Sequence, residues 1–561
     1  MRSSMRSRTL FSFFLAVMLF VLLSGCGSQA GCPTCGTTVN GSYGIINVIP
    51  VPEHNPTGEP GGPFNSFDIS VVDPVNHRFY VSDRIGLDVV VVDTLNNVAV
   101  NTIGGANSVA GAGNNASACL AIIPPLRDAS GNFTRFGCRT GAFSIPGFGA
   151  NGLFGGFPGA QCCAARANGV NPLSGPDGEA ITADGKTLFI ANASSSVVVF
   201  DLTTNPPNVI ADIPTGQSPQ FDSGPSGIAP CIASANGRAF SDPTCADLRA
   251  DEMSYDEKDK ILLVANGDPG FPFVTLIDMS AVVARTGNCL PVNPTAPYGP
   301  TNFPTCILGQ IYYDGAPVNN IGVAVDDQTG AGFPCPDPST SAPSGVSGTG
   351  VGAGGKNVPC HHGPIIAGFG GAISPAGIGG SAFNPNTGHF LVANANSTGD
   401  LTVGTIDEID PRVGNPNGPV VINAFTVKNC MPSGIVQGPG NNFLVTCADH
   451  DGVAFPPNEY VIDGSSGKIL ATITTVGGVD EAWFNAGDQR YYLAARDMPG
   501  GPVLGVIDAK TNSWLQNVGT NSNSHSIAVD PSNNHVFVPM QSGPQCTTQS
   551  ANGCIAVYAR Q

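Results

Sequence analysis

Ile69-Ser-Val-Val-Asp-Pro74, Phe79-Tyr-Val-Ser-Asp83 and Val89-Val-Val-Val-Asp93 follow one another closely near the start of this 561-residue chain. Each is a short run rich in β-branched and aromatic residues that closes on or beside Asp, a residue that turns a chain by bonding its own backbone. Three such runs predict three antiparallel strands joined by tight turns. The phrase then recurs. A second copy reads Ala180-Ile-Thr-Ala-Asp-Gly185, Leu188-Phe-Ile-Ala-Asn192 and Val197-Val-Val-Phe-Asp201. The third has Met253-Ser-Tyr-Asp256, Leu262-Leu-Val-Ala-Asn266 and Val274-Thr-Leu-Ile-Asp278. A fourth runs Ser381-Ala-Phe-Asn-Pro385, Phe390-Leu-Val-Ala-Asn394 and Leu401 to Asp407. Copies five and six carry Phe443-Leu-Val-Thr446 with Tyr460-Val-Ile-Asp463, and Tyr491-Tyr-Leu-Ala494 with Leu504-Gly-Val-Ile-Asp508. The last is Ile527-Ala-Val-Asp-Pro531, Val536-Phe-Val-Pro539 and Ile555-Ala-Val-Tyr558.

Seven copies of three strands each need a fourth to complete a propeller blade. Six fourth strands follow their own copies, beginning at Val98, Val209, Ile307, Val420, Ile469 and Trp514. The chain ends three residues after Tyr558, so the seventh must come from elsewhere. Tyr43-Gly-Ile-Ile-Asn-Val-Ile-Pro-Val51 supplies it. The expected fold is an all-β, seven-bladed propeller of four-stranded antiparallel blades over 43–561, closed by its N-terminal strand so that no sheet edge is left free. The Tyr-Val-Ala/Thr-Asn strand end and the Val-rich strand closing on Ile-Asp resemble the YVTN family of seven-bladed bacterial propellers. That family and its lactonase-like relatives include binding proteins, electron-transfer partners and lactone hydrolases, so the resemblance implies a fold and not an activity.

Asp73, Thr182, Asp256, Asn384, Gln437, Asn485 and Asp530 mark the first turn of each copy. Their spacing predicts plain blades late in the chain and long insertions at about 104–175, 214–250 and 279–378. The insertions are rich in Gly, Pro, Ser and Asn, which favours decorating loops over a second core. Asn320-Ile-Gly-Val-Ala-Val-Asp326, inside the longest, reads like a first strand and makes eight blades the competing count.

At the N-terminus Arg2, Arg6 and Arg8 precede an apolar run from Leu10 to Leu23, the pattern of a signal peptide over 1–25. Leu23-Ser-Gly-Cys26 resembles the lipobox of bacterial lipoproteins, which implies lipidation of Cys26, a flexible tether over 26–42 and contact with the membrane through the anchor alone. The implied location is the cell envelope, at the outer membrane or cell surface. Without the three leader arginines, 20 basic residues face 41 acidic ones, a formal charge of −21 that repels phosphate backbones and excludes nucleic acid as a partner. Sixteen cysteines remain besides Cys26, an even number suited to disulfides in an oxidising compartment. In sequence order they pair as Cys32/Cys35, Cys119/Cys138, Cys162/Cys163, Cys231/Cys245, Cys289/Cys306, Cys335/Cys360, Cys430/Cys447 and Cys546/Cys554. Connectivity is not fixed by order alone, and the vicinal Cys162-Cys163 could also be shared with Cys119 and Cys138.

Chemical motifs are few. Cys32-Pro-Thr-Cys35 is followed by Gly36, and Cys360-His361-His362 lacks a preceding cysteine, so neither attaches haem. One constellation emerges from aligning the copies. Five residues before each turn mark, at the entry to the innermost strand, stand Asp68, Asp177, Asp251, Gly379, Pro432, Asp480 and His525. Glu179, Glu252 and Glu481 lie beside them, and Asp83, Asn192, Asn266 and Asn394 end the second strands. The sequence thus predicts an acidic ring at one mouth of the central channel. Asp68, Asp177, Asp251, Asp480 and His525 are its candidate metal ligands, and hard oxygen ligands suit Ca²⁺. The competing reading makes the strand-end Asp and Asn turn caps and His525 a blade-to-blade contact. Two functions follow: a non-enzymatic binding or scaffold propeller for a protein, polysaccharide or small ligand, or a metal-dependent lactonase-like hydrolase using the mouth.

Overall fold

A computed structural model describes residues 41–51, 64, 66–84, 88–104, 176–192, 196–215, 250–267, 273–287, 289, 306–312, 323–326, 331–334, 348–351, 357–360, 377–395, 402–411, 419–448, 456–546 and 553–561. Seven four-stranded antiparallel sheets hold nearly all of them. Blade 1 comprises Phe67–Asp73, Arg78–Asp83, Asp88–Asp93 and Val98–Gly104. Blade 2 is Pro176–Ile181, Thr187–Asn192, Ser196–Asp201 and Asn208–Pro214, and blade 3 is Met253–Asp256, Ile261–Asn266, Phe273–Asp278 and Ile307–Tyr312. Blade 4 runs Ile378–Asn384, His389–Asn394, Val403–Asp410 and Val420–Lys428. Blades 5 and 6 follow as Met431–Gln437, Asn442–Ala448, Glu459–Asp463, Ile469–Ile473 and as Glu481–Asn485, Arg490–Ala495, Val503–Asp508, Ser513–Gly519. Blade 7 joins Ala528–Asp530, His535–Met540 and Cys554–Arg560 to Tyr43–Pro50. The described residues hold one helical turn, Ser280–Val283.

The middle strands of each blade are buried on both faces, which is why they read as unbroken apolar runs. Their side chains sort into seven hydrophobic clusters, one between each successive pair of blades, from the blade 1–2 interface round to the blade 7–1 interface. The aspartates that close the third strands are turn caps. Asp93 Oδ1 accepts from the amides of Leu95 (3.0 Å) and Asn96 (2.9 Å), and Asp508 Oδ1 repeats this with Lys510 (3.0 Å) and Thr511 (2.9 Å). In blade 5 the Ser465 hydroxyl heads the donors that pull the Asp463 carboxyl down to about 2. Much of the chain's acidity therefore serves the repeat.

The N-terminal strand closes the last blade as expected, with Tyr43 paired to Arg560 and Pro50 to Cys554. Tyr43 also reaches back to blade 6. Its amide donates to Gln516 Oε1 at 2.8 Å, and its hydroxyl lies 2.8 Å from the Tyr492 hydroxyl and 3.2 Å from Asp488 Oδ2 while accepting from Arg490. On the other side Asp530 of blade 7 receives Thr94 of blade 1 and sits 3.2 Å from His77 Nδ1. Blade 7 is thus clasped by both neighbouring blades.

Three readings are corrected or decided here. Residues 323–326 pair with 331–334 and residues 348–351 with 357–360, as two-stranded hairpins that complete no blade, so the count is seven. Blade 4's third strand runs to Asp410, not Asp407: Ile409 pairs with Phe390, which puts Ile409-Asp410 where other blades have their closing pair. Cys289–Cys306, Cys430–Cys447 and Cys546–Cys554 are bonded as sequence neighbours. The signal segment, Cys26, most of the tether and most of the three insertions, together with the remaining expected cysteine pairs, lie outside the described residues. Replacing Tyr43 by Phe removes the hydroxyl from the clasp while keeping the ring in place. Urea unfolding should show a loss of about 1–3 kcal/mol, and an unchanged midpoint would mean that the clasp does not secure closure.

Candidate functional site at the channel mouth

The first strands of the seven blades line the axis, and they approach one another through backbone as much as side chain. Gly178 N donates to Asp251 O at 3.0 Å, and a Cβ at Gly178 would stand 2.3 Å from that oxygen. Hydroxyls add polar links between blades: Ser526 to Ser70 at 2.9 Å, Ser381 to Ser254 at 2.9 Å and Ser82 to Glu179 Oε1 at 2.6 Å. Trp483, on the first strand of blade 6, packs against the clusters of blades 6–7, 7–1 and 1–2. A side chain that touches all three reaches across the axis.

At the strand entries the acidic ring assembles. Asp68, Asp177 and Asp251 each bring a carboxylate oxygen within 4.8 Å of the others. They are buried, at 5%, 0% and 8% exposure. Glu179 interacts with the charges of Asp68 and Asp177, Glu252 with those of Asp251, Asp480 and Glu481, and Glu481 with those of Asp480, Asp68 and Asp251. His525 belongs to the same ring as a blade-to-blade contact. Its imidazole stacks on Phe67 with centroids 5.0 Å apart, Nδ1 lies 3.0 Å from Asn523 O, and Nε2 stands 3.6 Å from Asp68 Oδ1.

Pro432 and the strand-end asparagines differ from the aspartates. Pro432 is one residue out of register, because Gly438 N donates to Asn442 O and moves the blade 5 turn mark from Gln437 to Gly438, leaving Ser433 at the ring position. The asparagines ending the second strands bond within their own neighbourhoods: Asn394 to Asp407 at 3.0 Å, Asn266 to Thr215 at 3.3 Å and Asn192 to Ser196 at 3.5 Å.

What sequence reasoning missed is the positive charge. Arg84, only 4% exposed, donates from Nε to Asp177 Oδ1 at 2.5 Å and from an Nη to Asp68 Oδ2, joining blade 1 to blade 2. Arg496 pairs with Asp480 at 3.0 Å and with Asp497 at 3.2 Å. Both arginines occupy the same repeat position, at or one residue past the end of the second strand, where the copies read Arg84, Ala193, Gly267, Ala395, Ala448, Arg496 and Gln541. Aligning that column would have found them.

Among the described residues, seven carboxyl groups stand beside two guanidiniums, and the glutamates register the crowding. Burial, followed by the charges of Asp68 and Asp177, pushes the Glu179 carboxyl well above the ordinary range despite the Ser82 hydrogen bond. Burial pushes Glu252 and Glu481 up in the same way, aided by Glu481's charge on Glu252 and by Asp480's on Glu481; the two share a hydrogen bond. Glu252 comes from blade 3 and Glu481 from blade 6. The space they meet in is walled by glycine: a Cβ at Gly380 would stand 2.7 Å from Glu252 Oε2, and one at Gly434 would stand 3.4 Å from Glu481 Oε2.

No family model matches the chain, and no curated protein matches it in sequence. Among solved structures it is similar to a chain of the mitotic checkpoint complex, at 6% identity and a TM-score of 0.44 over 95% of this chain and 97% of that one. It is also similar to Kuenenia stuttgartiensis hydrazine synthase, at 11% identity and a TM-score of 0.44 over 89% of this chain and 96% of that one. Likenesses this distant say nothing of activity, and the propeller rests on its own hydrogen-bonded sheets.

The raised glutamates set a pH dependence. A carboxyl raised on folding contributes stability that is full below its unfolded value and is lost as pH rises through the folded one. In Glu252→Gln the amide donates to Glu481 without needing a proton. Melting in chelator should fall from pH 5 to pH 8 for the wild type and fall less for Glu252→Gln, which should melt a few degrees higher at pH 8 and show no advantage at pH 5. Parallel pH profiles would refute the shared proton.

Proposed function

We propose that this chain is an exported, lipid-anchored propeller of the YVTN type that serves the cell envelope as a non-enzymatic binding or scaffold protein. Support for the anchor is the Leu23-Ser-Gly-Cys26 lipobox behind a charged and apolar leader, and support for the family is the repeated strand phrase. The observation that carries the non-enzymatic reading is the burial of the Asp68, Asp177 and Arg84 side of the ring. A hydrolytic metal keeps an open position for water and substrate. Here Asp68, Asp177 and Arg84 are all at most 5% exposed, and the guanidinium bonds both carboxylates. Ser82 beside Glu179 has the pairing of a nucleophile and a base, yet at 0% and 5% exposure neither meets a substrate. Recognition is assigned instead to the long segments between early blades, since connecting loops commonly carry binding; the partner classes are a protein, a polysaccharide or a small ligand.

One preparation tests both halves of the proposal. The native protein should fractionate with membranes and Cys26→Ala should not, and neither should hydrolyse a panel of γ- and δ-lactones with or without added Ca²⁺, Mg²⁺ or Zn²⁺. Membrane retention of Cys26→Ala would overturn the anchor. Lactone turnover abolished by Asp251→Asn would replace the binding reading with the hydrolase.

A further inference from the structure

Among the described residues seven large aliphatic side chains are exposed, and five of them, Ile46, Val75, Leu95, Val98 and Val100, belong to blade 1 or to the strand that closes blade 7. The other two, Ile469 and Leu470, are neighbours on blade 5. Four of the five share one neighbourhood. Asn47, next to Ile46, donates from Nδ2 to Asn97 O at 2.8 Å, and Leu95, Val98 and Val100 all lie within three residues of Asn97. Single exposed aliphatics are ordinary, whereas a cluster marks a contact surface. Comparison of the blades shows that the position can be covered. Each fourth strand carries a bulge near its start, and in blades 2, 3 and 6 the bulged residue, Ile210, Leu308 or Leu515, packs on the cluster beside it. Val100 and Ile46 are the bulged residues of blade 1 and of the closing strand, and they stand 48% and 43% exposed.

Chain direction points to the occupant. Antiparallel strands alternate, so a fourth strand begins on the face where the first strand ends, opposite the acidic mouth. Tyr43 opens the closing strand on that face, and Leu95 lies in the turn that leads into the fourth strand of blade 1 there. Sixteen residues separate Cys26 from Tyr43. A chain of that length reaches at most about 60 Å, and it joins the ring three residues before Ile46. A lipid carried by Cys26 therefore draws this edge toward the bilayer, with the acidic mouth on the face turned away. Because the tether makes the contact intramolecular, a small apolar surface is enough. Charge does not oppose it: Asp93, beside the patch, is paired with Arg78 at 3.0 Å. The bulges interrupt both outer ladders and blunt them against strand addition by another chain. Side chains are what this edge offers, and aliphatic ones suit the boundary between headgroups and acyl chains.

We infer that Ile46, Leu95, Val98 and Val100 form a bilayer-contacting edge that holds blades 7 and 1 against the membrane surface. The inference rests on the lipid-anchor reading and deepens it, since an anchor alone leaves the orientation of the ring open. Leu95→Trp reports on the edge, against a background of two native tryptophans, Trp483 and Trp514, both on blade 6. To read the edge without relying on lipidation, the mature protein with hexahistidine in place of Cys26 is captured on phosphatidylcholine vesicles that contain a nickel-chelating lipid. Brominated phosphatidylcholine should quench roughly half of the added emission, as expected at interfacial depth. Thr426→Trp, at an exposed site on the fourth strand of blade 4 across the ring, should be quenched little. Val98→Thr with Val100→Thr keeps β-branching in the strand and should roughly halve the quenching of Leu95→Trp. Equal quenching at Leu95→Trp and Thr426→Trp overturns the proposal, as does quenching that the two threonines leave unchanged. Leu95→Trp emission already blue-shifted without vesicles, with a dimer in sedimentation, assigns the edge to a second copy of the chain and also overturns it. None of these outcomes involves Cys26, whose role is read by membrane fractionation of Cys26→Ala, so the two readings fail separately.

Discussion

Two buried carboxylates on neighbouring blades share one guanidinium: Arg84 between Asp68 and Asp177. Removing charges from water costs several kcal/mol each, a cost met only by close pairing in good geometry. The rest of the mouth is arranged around that requirement. First strands converge on the axis because the apolar faces of adjacent blades must bury one another, and convergence brings like charges together at their entries. Arginine at Asp68, Asp177 and Asp480, a shared proton between Glu252 and Glu481, and the donor-poor Glu179 are three responses to one crowding of carboxyl groups.

Hydrophobic burial and charge do different work in this fold. The seven inter-blade clusters hold the ring together without specifying where it ends, since each interface resembles the next. Closure is specified by polar contacts that occur once. Tyr43 meets Gln516, Tyr492, Asp488 and Arg490 of blade 6, and Asn47 Nδ2 donates to Asn97 O of blade 1. A strand arriving from the far end of the chain is thereby directed to one edge among seven similar ones.

The blades were legible in sequence because a strand buried on both faces must be apolar throughout, and a tight turn must cap itself. Both rules leave letters at fixed spacing, which is why even the displaced seventh fourth strand at Tyr43 could be placed. Register was legible only where the spacing is regular. Blade 5's first turn is one residue shorter than the others, and in blade 4 an earlier Ile-Asp, Ile406-Asp407, precedes the true closing pair, so Pro432 and Asp407 were read one and three residues away from Ser433 and Asp410. The acidic ring was visible as a column of aspartates, but its electrostatics were not. Asp68, Asp177, Asp251 and Asp480 suggest an ion when counted alone, and the column holding Arg84 and Arg496 changes their meaning. That column is mostly Ala and Gly, so its two informative letters do not announce themselves as a motif.

If pairing by Arg84 is what makes the carboxylates tolerable at the centre of the ring, its removal must be felt as charge. The direct measurement is the denaturant midpoint of Arg84→Met against the wild type, in chelator, at neutral and acid pH. The account predicts a loss of about 3–5 kcal/mol near pH 7, from buried charges left without a partner. Without the guanidinium the folded-state carboxyls rise above their unfolded values, so the deficit should shrink as pH falls and they take up protons. An Arg84→Met protein as stable as the wild type at neutral pH, or one whose deficit persists unchanged on acidification, would contradict it.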